Sequence, residues 1–291
     1  MQKSNHNIKT GCITGTVAKA ADRYAMDVMG LKSLTLMETA SSKIAEYVMR
    51  HDPLNGRDFR HPEESIAASR DDGNDSECLE KTESKGRTLK ISVLCGVGNN
   101  GADGVCASHM LLREGYQPQV YIVGNLEKAS WEFLYQLCHF QQAGGTVKMY
   151  RPNIDPADDG EAAAMAVHPD SATAADDASP FLTNRLPDDD ILIDGIFGIG
   201  LHREIAGDYR AFIEEANRRR HGFVLAIDAP SGINTDTGEL MGCGIKADVT
   251  ITFGRNKTGL VCGAGQNFAG RVLVEDIGIP DEAYIEAETH A

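Results

Sequence analysis

This chain of 291 residues has no long apolar run, no paired cysteine motif and no excess of basic residues. No segment approaches the roughly 20 consecutive apolar residues that a membrane span needs, so no membrane insertion is expected. The N-terminus also has no apolar stretch of the kind found in secretory signals. The seven cysteines are scattered without C-x-x-C spacing, which is typical of reduced thiols in a cytoplasmic protein.

The charge balance is acidic, with 43 acidic side chains, 28 basic ones and a formal net charge of −15. Nucleic-acid binding needs a basic surface, so nucleic acid is not an expected partner. Residues 152–190 alone contain ten acids, one Arg and five of the ten prolines, a composition that predicts a disordered insertion. Residues 51–87 mix both charges without an apolar period, which predicts a second disordered insertion with one short helix near residues 63–70.

Several catalytic motifs are missing as well. The sequence shows no Ser-His-Asp arrangement at a recognisable spacing, no H-E-x-x-H and no P-loop lysine, which argues against hydrolysis and phosphoryl transfer. What the sequence does contain is an apolar run at residues 89–95, followed by the loop GVGNNGADG at 96–104 and a helical pattern over 103–114. A strand, a glycine loop and a helix in this order are typical of phosphate binding, although they also describe a plain strand-to-helix turn.

An ordinary dehydrogenase would place an acid at the end of the second strand to bind the ribose hydroxyls. Here the second predicted strand, residues 119–123, ends in Gly124 and Asn125. The two consecutive Asn and the Asp of the glycine loop also offer side-chain oxygens that a simple pyrophosphate cradle does not need. A conventional NAD-dependent oxidoreductase therefore remains an alternative with less support.

Strands and helices alternate through the rest of the chain. This alternation predicts an α/β fold with a parallel sheet, in which the loops at 96–104, 194–204 and 228–232 meet at the carboxyl edge. Two helices precede the sheet, and Thr35 with Glu38 has the spacing of a capping box at the start of the second one. The predicted helices are 18–29, 36–49, 103–114, 129–143 and 208–219, and the predicted strands are 89–95, 119–123, 147–150, 191–194, 223–227, 249–253 and 271–274.

Three polar side chains on these loops form a candidate cation site. Asn100, Asp194 and Ser231 each offer a hard oxygen ligand, and one carboxylate among neutral oxygens favours K⁺ over Mg²⁺. The alternative is that Asp194 only hydrogen-bonds the neighbouring loop.

The loops also contain candidates for substrate binding. Gly198 and Gly200 leave backbone amides free to meet a phosphate, with which Arg203 could pair. His202 is either a site residue or a surface histidine. Asp228 directly follows a strand, so it could accept a hydrogen bond from a ribose hydroxyl or act as an acid or base, or it could simply form the turn.

Seven stretches of this sequence resemble the NAD(P)HX epimerase family, also called the YjeF N-terminal domain. They occur in family order, interrupted by the two acidic or mixed-charge insertions. They are AADRYAM, LTLMETA, VLCGVGNNGADGVCASHML, DGIFGIGLHREIAG, AIDAPSGINTDTGE, ADVTITFGRNKTGL and GRVLVEDIGIP.

The resemblance implies one three-layer αβα Rossmann-like domain over residues 1–291, with a mostly parallel sheet. It implies an isomerase that interconverts the epimers of hydrated NADH and NADPH in the repair of these nucleotides. It also implies a homodimer, one K⁺ per subunit and functional pairing with a separate NAD(P)HX dehydratase.

The resemblance further assigns residues to the site. The K⁺ ligands align with Asn100, Asp194 and Ser231. Epimerisation needs no redox partner, and we hypothesise that Asp228, or else Asp103, assists loss and return of the hydroxyl group or ring opening. The substrate-contacting residues align with Asn99, Asn100, Gly101, Ala102, Asp103, Gly198, Ile199, Gly200, Leu201, His202, Arg203, Glu204 and Asp228.

Two positions depart from the family pattern, in which GNNGGDG and LMENAG are usual. Ala102 replaces a glycine, which is harmless at negative φ and costs roughly 1 kcal/mol or more at positive φ. Thr39 replaces an asparagine near the site. Because of these departures, a catalytically weak nucleotide-binding or dimerisation module is the alternative function. The role of Lys257, which matches a family lysine, stays open.

Overall fold

The computed structural model describes residues 11–52, 88–153 and 182–290. In them, eight parallel strands form one sheet in the order β4-β3-β2-β1-β5-β6-β7-β8. The strands are β1 (Ile91–Cys95), β2 (Pro118–Ile122), β3 (Thr146–Tyr150), β4 (Leu182–Thr183), β5 (Asp189–Gly195), β6 (His221–Ile227), β7 (Val249–Phe253) and β8 (Arg271–Glu275). The prediction of a mostly parallel α/β sheet is confirmed.

The described helices are α1 (Gly15–Asp27), α2 (Ser33–Arg50), α3 (Asn99–Arg113), α4 (Trp131–Gln142), α5 (Gly207–Asn217), α6 (Gly265–Phe268) and α7 (Asp281–His290). Two short 3₁₀ turns add Leu126–Lys128 and Thr258–Leu260. None of the described helices is both long and apolar enough to cross a bilayer.

Alternate residues of the central strands pack against different helices. Val93 belongs to the cluster that includes Ile44 of α2 and Val105 of α3. Its neighbour Leu94 belongs instead to the cluster that includes Phe212 of α5. Because successive side chains of a strand point to opposite faces, this places α2, α3 and α4 on one side of the sheet and α5 on the other.

A third apolar cluster joins the first and the last helix. The small side chains of Ala21 and Ala25 in α1 pack with Ala283 and Ala287 in α7. Both helices lie over the carboxyl edge of the sheet, where they contribute to the cavity described below.

The glycine loop is shorter than predicted, because α3 already begins at Asn99 with Gly98 as its N-cap. Gly101 allows this early start, since a Cβ at Gly101 would overlap the carbonyl oxygen of Gly96. The helix can therefore begin directly against the end of β1.

Two other sequence predictions need correction. The predicted capping box is wrong: α2 begins at Ser33 after Lys32, so Thr35 and the exposed Glu38 lie inside the helix. The insertion predicted at 152–190 ends earlier than expected, because β4 and the buried Leu186 make residues 182–190 part of the folded core. Residues 53–87 and 154–181, which hold most of both predicted insertions, lie outside the described residues.

Candidate functional site

A cavity of about 550 Å³ opens at the carboxyl edge of the sheet. This volume lies within the usual range for small-molecule sites. The three predicted loops all reach it, at Asn100, Gly198 and Asp228. The helices α1, α2 and α7 close it from the other side with Asp22, Met37 and Tyr284, among other residues. The predicted convergence of the three loops is thus seen in the structure.

Asp228 has an unusual backbone conformation. Its φ of 63° makes it the one non-glycine residue with positive φ in the part of the chain that the structure describes. An L-residue in this left-handed region costs about 1 kcal/mol or more, and such outliers often occur at functional sites. Its backbone amide is held by the carbonyl of Ile251 at 2.7 Å.

The carboxylate of Asp228 forms an ion pair with the ammonium group of Lys257. The distance between Oδ1 of Asp228 and Nζ of Lys257 is 2.6 Å, and the lysine is only 2% exposed. The same ammonium donates to Oγ1 of Thr252 and to the carbonyl of Phe253, both at 2.8 Å. All three donors of Lys257 are therefore used, and it is fixed as the buried positive charge beside Asp228.

The second oxygen of Asp228 faces the cavity wall. Within the described residues, the hydrogen bonds of this carboxylate all reach Oδ1. Oδ2 lies beside Gly198, where an added Cβ would approach it to 3.4 Å and would crowd Oδ1 of Asn100 at 2.8 Å. Gly198 thus keeps the wall open next to both side chains.

Three more carboxyl groups line the same cavity, those of Asp22, Asp103 and the exposed Asp27. Burial, together with the negative charges of Asp228 and Asp22, raises the pKa of Asp103 well above its usual range. Burial also raises the pKa of Asp22 to about 6, although the charge of Lys257 partly offsets this effect. The cavity therefore holds a carboxyl group whose protonated form is favoured, Asp103, near a carboxylate that is paired with lysine.

Asp194 lies fully buried at the end of β5. Its Oδ2 accepts from the backbone amide of Ser231 at 2.7 Å, and its Oδ1 accepts from the Ser231 hydroxyl at 2.6 Å. Burial raises the pKa of Asp194 to about 6 despite these bonds. No cationic side chain pairs with it among the described residues. Asp194 therefore does hydrogen-bond a neighbouring loop, which was the alternative to a cation site. These hydrogen bonds leave its negative charge without a compensating cation among the described residues.

Asn100 completes the predicted oxygen set. Its Nδ2 is buried without a hydrogen-bond partner, and its side-chain oxygen lies next to Gly198. Nδ2 is a hydrogen-bond donor and cannot ligate a cation, so the fit to a monovalent cation rests on the side-chain oxygens of Asn100 and Ser231 together with the carboxylate of Asp194. The described residues contain no group of three or more His, Cys, Asp or Glu side chains that could hold a metal ion, so a transition-metal site is not indicated there.

The other residues predicted to bind substrate divide into three groups. Asn99, Asn100, Asp103, Gly198, Ile199, Gly200 and Asp228 line the cavity. Gly101 and Ala102 are buried behind it in α3, and Leu201 packs in the core beside α5. His202, Arg203 and Glu204 are exposed and do not line the cavity, so their contact with substrate stays a prediction.

The two departures from the family pattern do not disturb the site. Ala102 is fully buried in α3 and is not among the residues with positive φ, so its methyl group causes no backbone strain. The hydroxyl of Thr39 donates to the carbonyl of Thr35 in its own helix at 2.8 Å. Thr39 does not line the cavity.

Asp22 and Asp27 are the acidic side chains of the cavity that were not predicted, and Asp22 is the more enclosed of the two. The signal was present in α1, because Asp22 follows Ala18 by four residues and precedes Ala25 by three, both of which are buried. An acid on the apolar face of an amphipathic helix indicates either a partner or a site.

The chain is similar in sequence to known proteins over most of its length. The family model described as YjeF-related protein N-terminus matches residues 33–259. A protein of Limosilactobacillus fermentum named NAD(P)H-hydrate epimerase is 34% identical over 266 residues, which cover 91% of this chain and 95% of that protein. One of the same name from Oenococcus oeni is 32% identical over 69% of this chain and 81% of its own.

A crystal structure of the yeast protein ynu0 (YNL200c) has the same fold. It superposes with a TM-score of 0.58 at 18% identity and covers 91% of this chain and 88% of the yeast chain.

Proposed function

The chain belongs to the family of YjeF-related N-terminal domains, and on that premise we propose that its cavity interconverts the R and S epimers of hydrated NADH and NADPH. The observation that carries this proposal is the set of carboxyl groups around the cavity, which lie in contrasting environments. Burial raises the pKa of Asp103 and so favours its protonated form, while Asp228 is paired with the buried ammonium of Lys257. Pairs of carboxyl groups in contrasting environments are typical of acid and base roles.

The reaction needs an acid first. In the hydrated ring a hydroxyl group sits on the carbon next to the ring nitrogen. Asp103 donates its proton to this hydroxyl, which leaves as water while the nitrogen lone pair moves into the ring and makes it a cation. Asp228 and Asp22 stabilise that cation by their negative charge.

Water then returns to either face of the cationic ring and gives its extra proton back to Asp103. The product is the other epimer or the original one, and no electrons are gained or lost. Asp228 is the residue whose charge is present throughout, so it carries the largest expected share of the rate.

The test is an assay with purified protein and R-NADHX, in which both epimers are followed by chromatography. We expect conversion well above the spontaneous rate, and a loss of about 100-fold or more in Asp103→Asn and Asp228→Asn, which is the usual size of acid–base effects. Glu114→Gln, an exposed acid outside the cavity, is the matched control. Full activity in Asp228→Asn would refute the assignment, and saturable nucleotide binding without conversion would instead support the nucleotide-binding module.

We further propose that Asn100, Asp194 and Ser231 hold one K⁺ per subunit. The ion would supply the positive charge that the buried carboxylate of Asp194 lacks among the described residues. Asn100 lies in the first turn of α3, and the hydroxyl of Ser231 accepts from the backbone amide of Phe197 at 2.9 Å, so Ser231 joins two of the cavity loops.

Thermal unfolding in KCl and in choline chloride of equal ionic strength tests this proposal. K⁺ should raise the Tm of the wild-type protein, because a ligand that binds only the folded state stabilises it. Asp194→Asn should show no such difference, whereas Glu114→Gln should keep it. Equal Tm values in the two salts for the wild-type protein would rule the site out.

The homodimer, the separate dehydratase and the cytoplasmic location are also proposals, and they rest on the family resemblance. The six cysteines of the described residues are free thiols, which suits a reducing compartment. Light scattering of the purified protein tests the dimer, and an assay of S-NADHX removal in a mixture with candidate dehydratases tests the pairing.

A further inference from the structure

We propose that Lys19 and Arg23 of α1 form a phosphate clamp at the mouth of the cavity, which holds the anionic part of the nucleotide while its ring enters the cavity. The proposal rests on the proposed function for the identity of the nucleotide. The family model matches from residue 33 onward and so includes neither side chain, although Arg23 lies in the stretch AADRYAM that resembles the family.

The two cations share one helical face. Lys19 and Arg23 are exposed, both border the cavity, and they lie four residues apart, one turn of α1. Like charges at this spacing repel each other and destabilise a helix. Neither forms an ion pair with any described residue, not even with Asp27, which borders the mouth one turn further on. An anion between Lys19 and Arg23 would remove this repulsion.

The interior of the cavity offers an anion no unpaired cation among the described residues. Asp22, Asp103 and Asp228 line it, and Lys257 is the cation bonded to Asp228. Phosphate is disfavoured in such an interior, whereas a ring that becomes positively charged is favoured there. The charge pattern therefore orients a nucleotide with its ring inside and its phosphates at the mouth.

The clamp also acts against the field of the whole protein. With a formal net charge of −15, the protein repels an anionic substrate at long range. Lys19 and Arg23 have no ion-pair partner in the described part of the chain and lie at the mouth itself, where they counter this repulsion.

The position of α1 is fixed, which a clamp requires. The carboxylate of Asp236 accepts from the backbone amide of Thr16 at 2.9 Å and from its hydroxyl at 2.6 Å. Just before the helix, Ile13 exchanges backbone hydrogen bonds with Asn256 and Thr258, on either side of Lys257. The clamp and the buried ion pair are thus tied to the same loop.

Two phosphate groups could occupy the clamp, the diphosphate of both nucleotides or the 2′-phosphate of NADPH. The experiment compares the wild-type protein, Lys19→Ala/Arg23→Ala and the control Arg113→Ala/Arg220→Ala. Both double variants remove two positive charges. Arg113 ends α3, about 20 Å along that helix from the cavity, and Arg220 precedes β6 at the opposite edge of the sheet.

The Kd of NADH and the Kd of NADPH are measured by calorimetry at low and at high salt. This measurement does not depend on turnover. We expect the clamp variant to bind about tenfold more weakly than the control and to lose part of its salt dependence. Equal weakening for both nucleotides assigns the diphosphate, and weakening for NADPH alone assigns the 2′-phosphate.

If the protein epimerises NADHX and NADPHX, the clamp variant should show a raised KM and an unchanged kcat, because the phosphates do not react. If the wild-type protein binds nucleotide without epimerising it, the proposed function fails while the binding comparison still decides on the clamp. A Kd in the clamp variant equal to that of the control, or no nucleotide binding by the wild-type protein, overturns the clamp.

Discussion

Ala102 lies in the second turn of α3 with its methyl group packed among the core residues of β1 and α2. The family pattern has glycine here, so the alanine could have been a defect, but its amide makes a regular helical bond to the carbonyl of Gly98 at 3.0 Å. Since its φ is not positive, the alanine adds helix propensity and buried apolar area.

We therefore expect Ala102→Gly to weaken the protein without improving it. The free energy of unfolding should fall by about 1–2 kcal/mol, from lost propensity and lost packing. The epimerase rate should not rise. Denaturant unfolding and the epimer assay check both statements, with Ala20→Gly in the less buried part of α1 reporting the propensity cost alone. A gain in rate would mean that the methyl group obstructs the substrate.

Single residues also show where sequence reasoning stops. The oxygen set of Asn100, Asp194 and Ser231 and the position of Asp228 followed from loops at the ends of predicted strands, because a parallel sheet brings such ends together. The partner of Asp228 did not follow, since Lys257 lies 29 residues away on the segment after β7. Nothing in local sequence specifies which carboxylate a distant buried lysine meets.

At the level of elements, α1 matters because it contributes Asp22, Lys19 and Arg23 to the cavity. Its N-terminus is held by Asp236, whose negative charge suits the positive end of the helix dipole. This carboxylate acts on the site only through the position of the helix.

Asp236→Ala should therefore loosen α1 and raise KM more than it lowers kcat. The stability cost should be about 1 kcal/mol, as for the loss of a helix cap. Hydrogen exchange should speed up over residues 15–27 and remain unchanged in α5. Asp208→Ala, which removes an acid from the first turn of α5, is the matched control. Unchanged exchange in α1 of Asp236→Ala would show that the apolar contact with α7 holds the helix alone.

The elements themselves were predictable to different degrees. The buried strands β1, β5, β6 and β7 follow from short apolar runs before glycine or aspartate. By contrast, α7 has four acids in ten residues and a narrow apolar face of alanines and one tyrosine. Its packing against α1 is a tertiary contact between the two ends of the described chain, and no local pattern indicates it.

For the molecule as a whole, acidic groups dominate the dependence of stability on pH. Burial raises the pKa of Asp22 to about 6 from an ordinary value of 3.8, and it also raises the pKa of Asp103 well above that ordinary value. A carboxyl group with a raised pKa stabilises the folded state when it is protonated, and this contribution is lost as pH rises through the folded-state pKa. The pKa of His221 is also raised, by its bonds to Asp189, although burial opposes them. The stabilisation of the folded state by His221 is likewise lost as pH rises.

Two other titratable side chains have the opposite effect on the dependence of stability on pH. The pKa of Glu215 is lowered by Arg219 and Arg218 against the effect of burial, so its contribution is lost only on acidification below its ordinary value of 4.5. The pKa of His109 is lowered by burial, which opposes the trend modestly below its ordinary value of 6.5. The net charge of −15 also shrinks on mild acidification, which reduces self-repulsion.

The Tm in buffers without K⁺ should consequently be higher at about pH 5 than at about pH 7.5, which is the reverse of ordinary acid destabilisation.

Asp22→Asn isolates one part of this effect, because the uncharged amide avoids the cost of a buried charge. A shift in pKa from 3.8 to about 6 corresponds to at most about 3 kcal/mol, and roughly half of this cost is already present at about pH 5, so the variant should gain a few degrees at the higher pH and about half as much at the lower one. Calorimetry at both pH values measures the difference, with Glu114→Gln as the exposed control. The contrary result is a wild-type Tm that falls towards pH 5 together with an equal Tm shift of Asp22→Asn at both pH values. In that case the cavity carboxyl groups titrate as they do in water. Asp103 could then not hold the proton with which the proposed reaction begins.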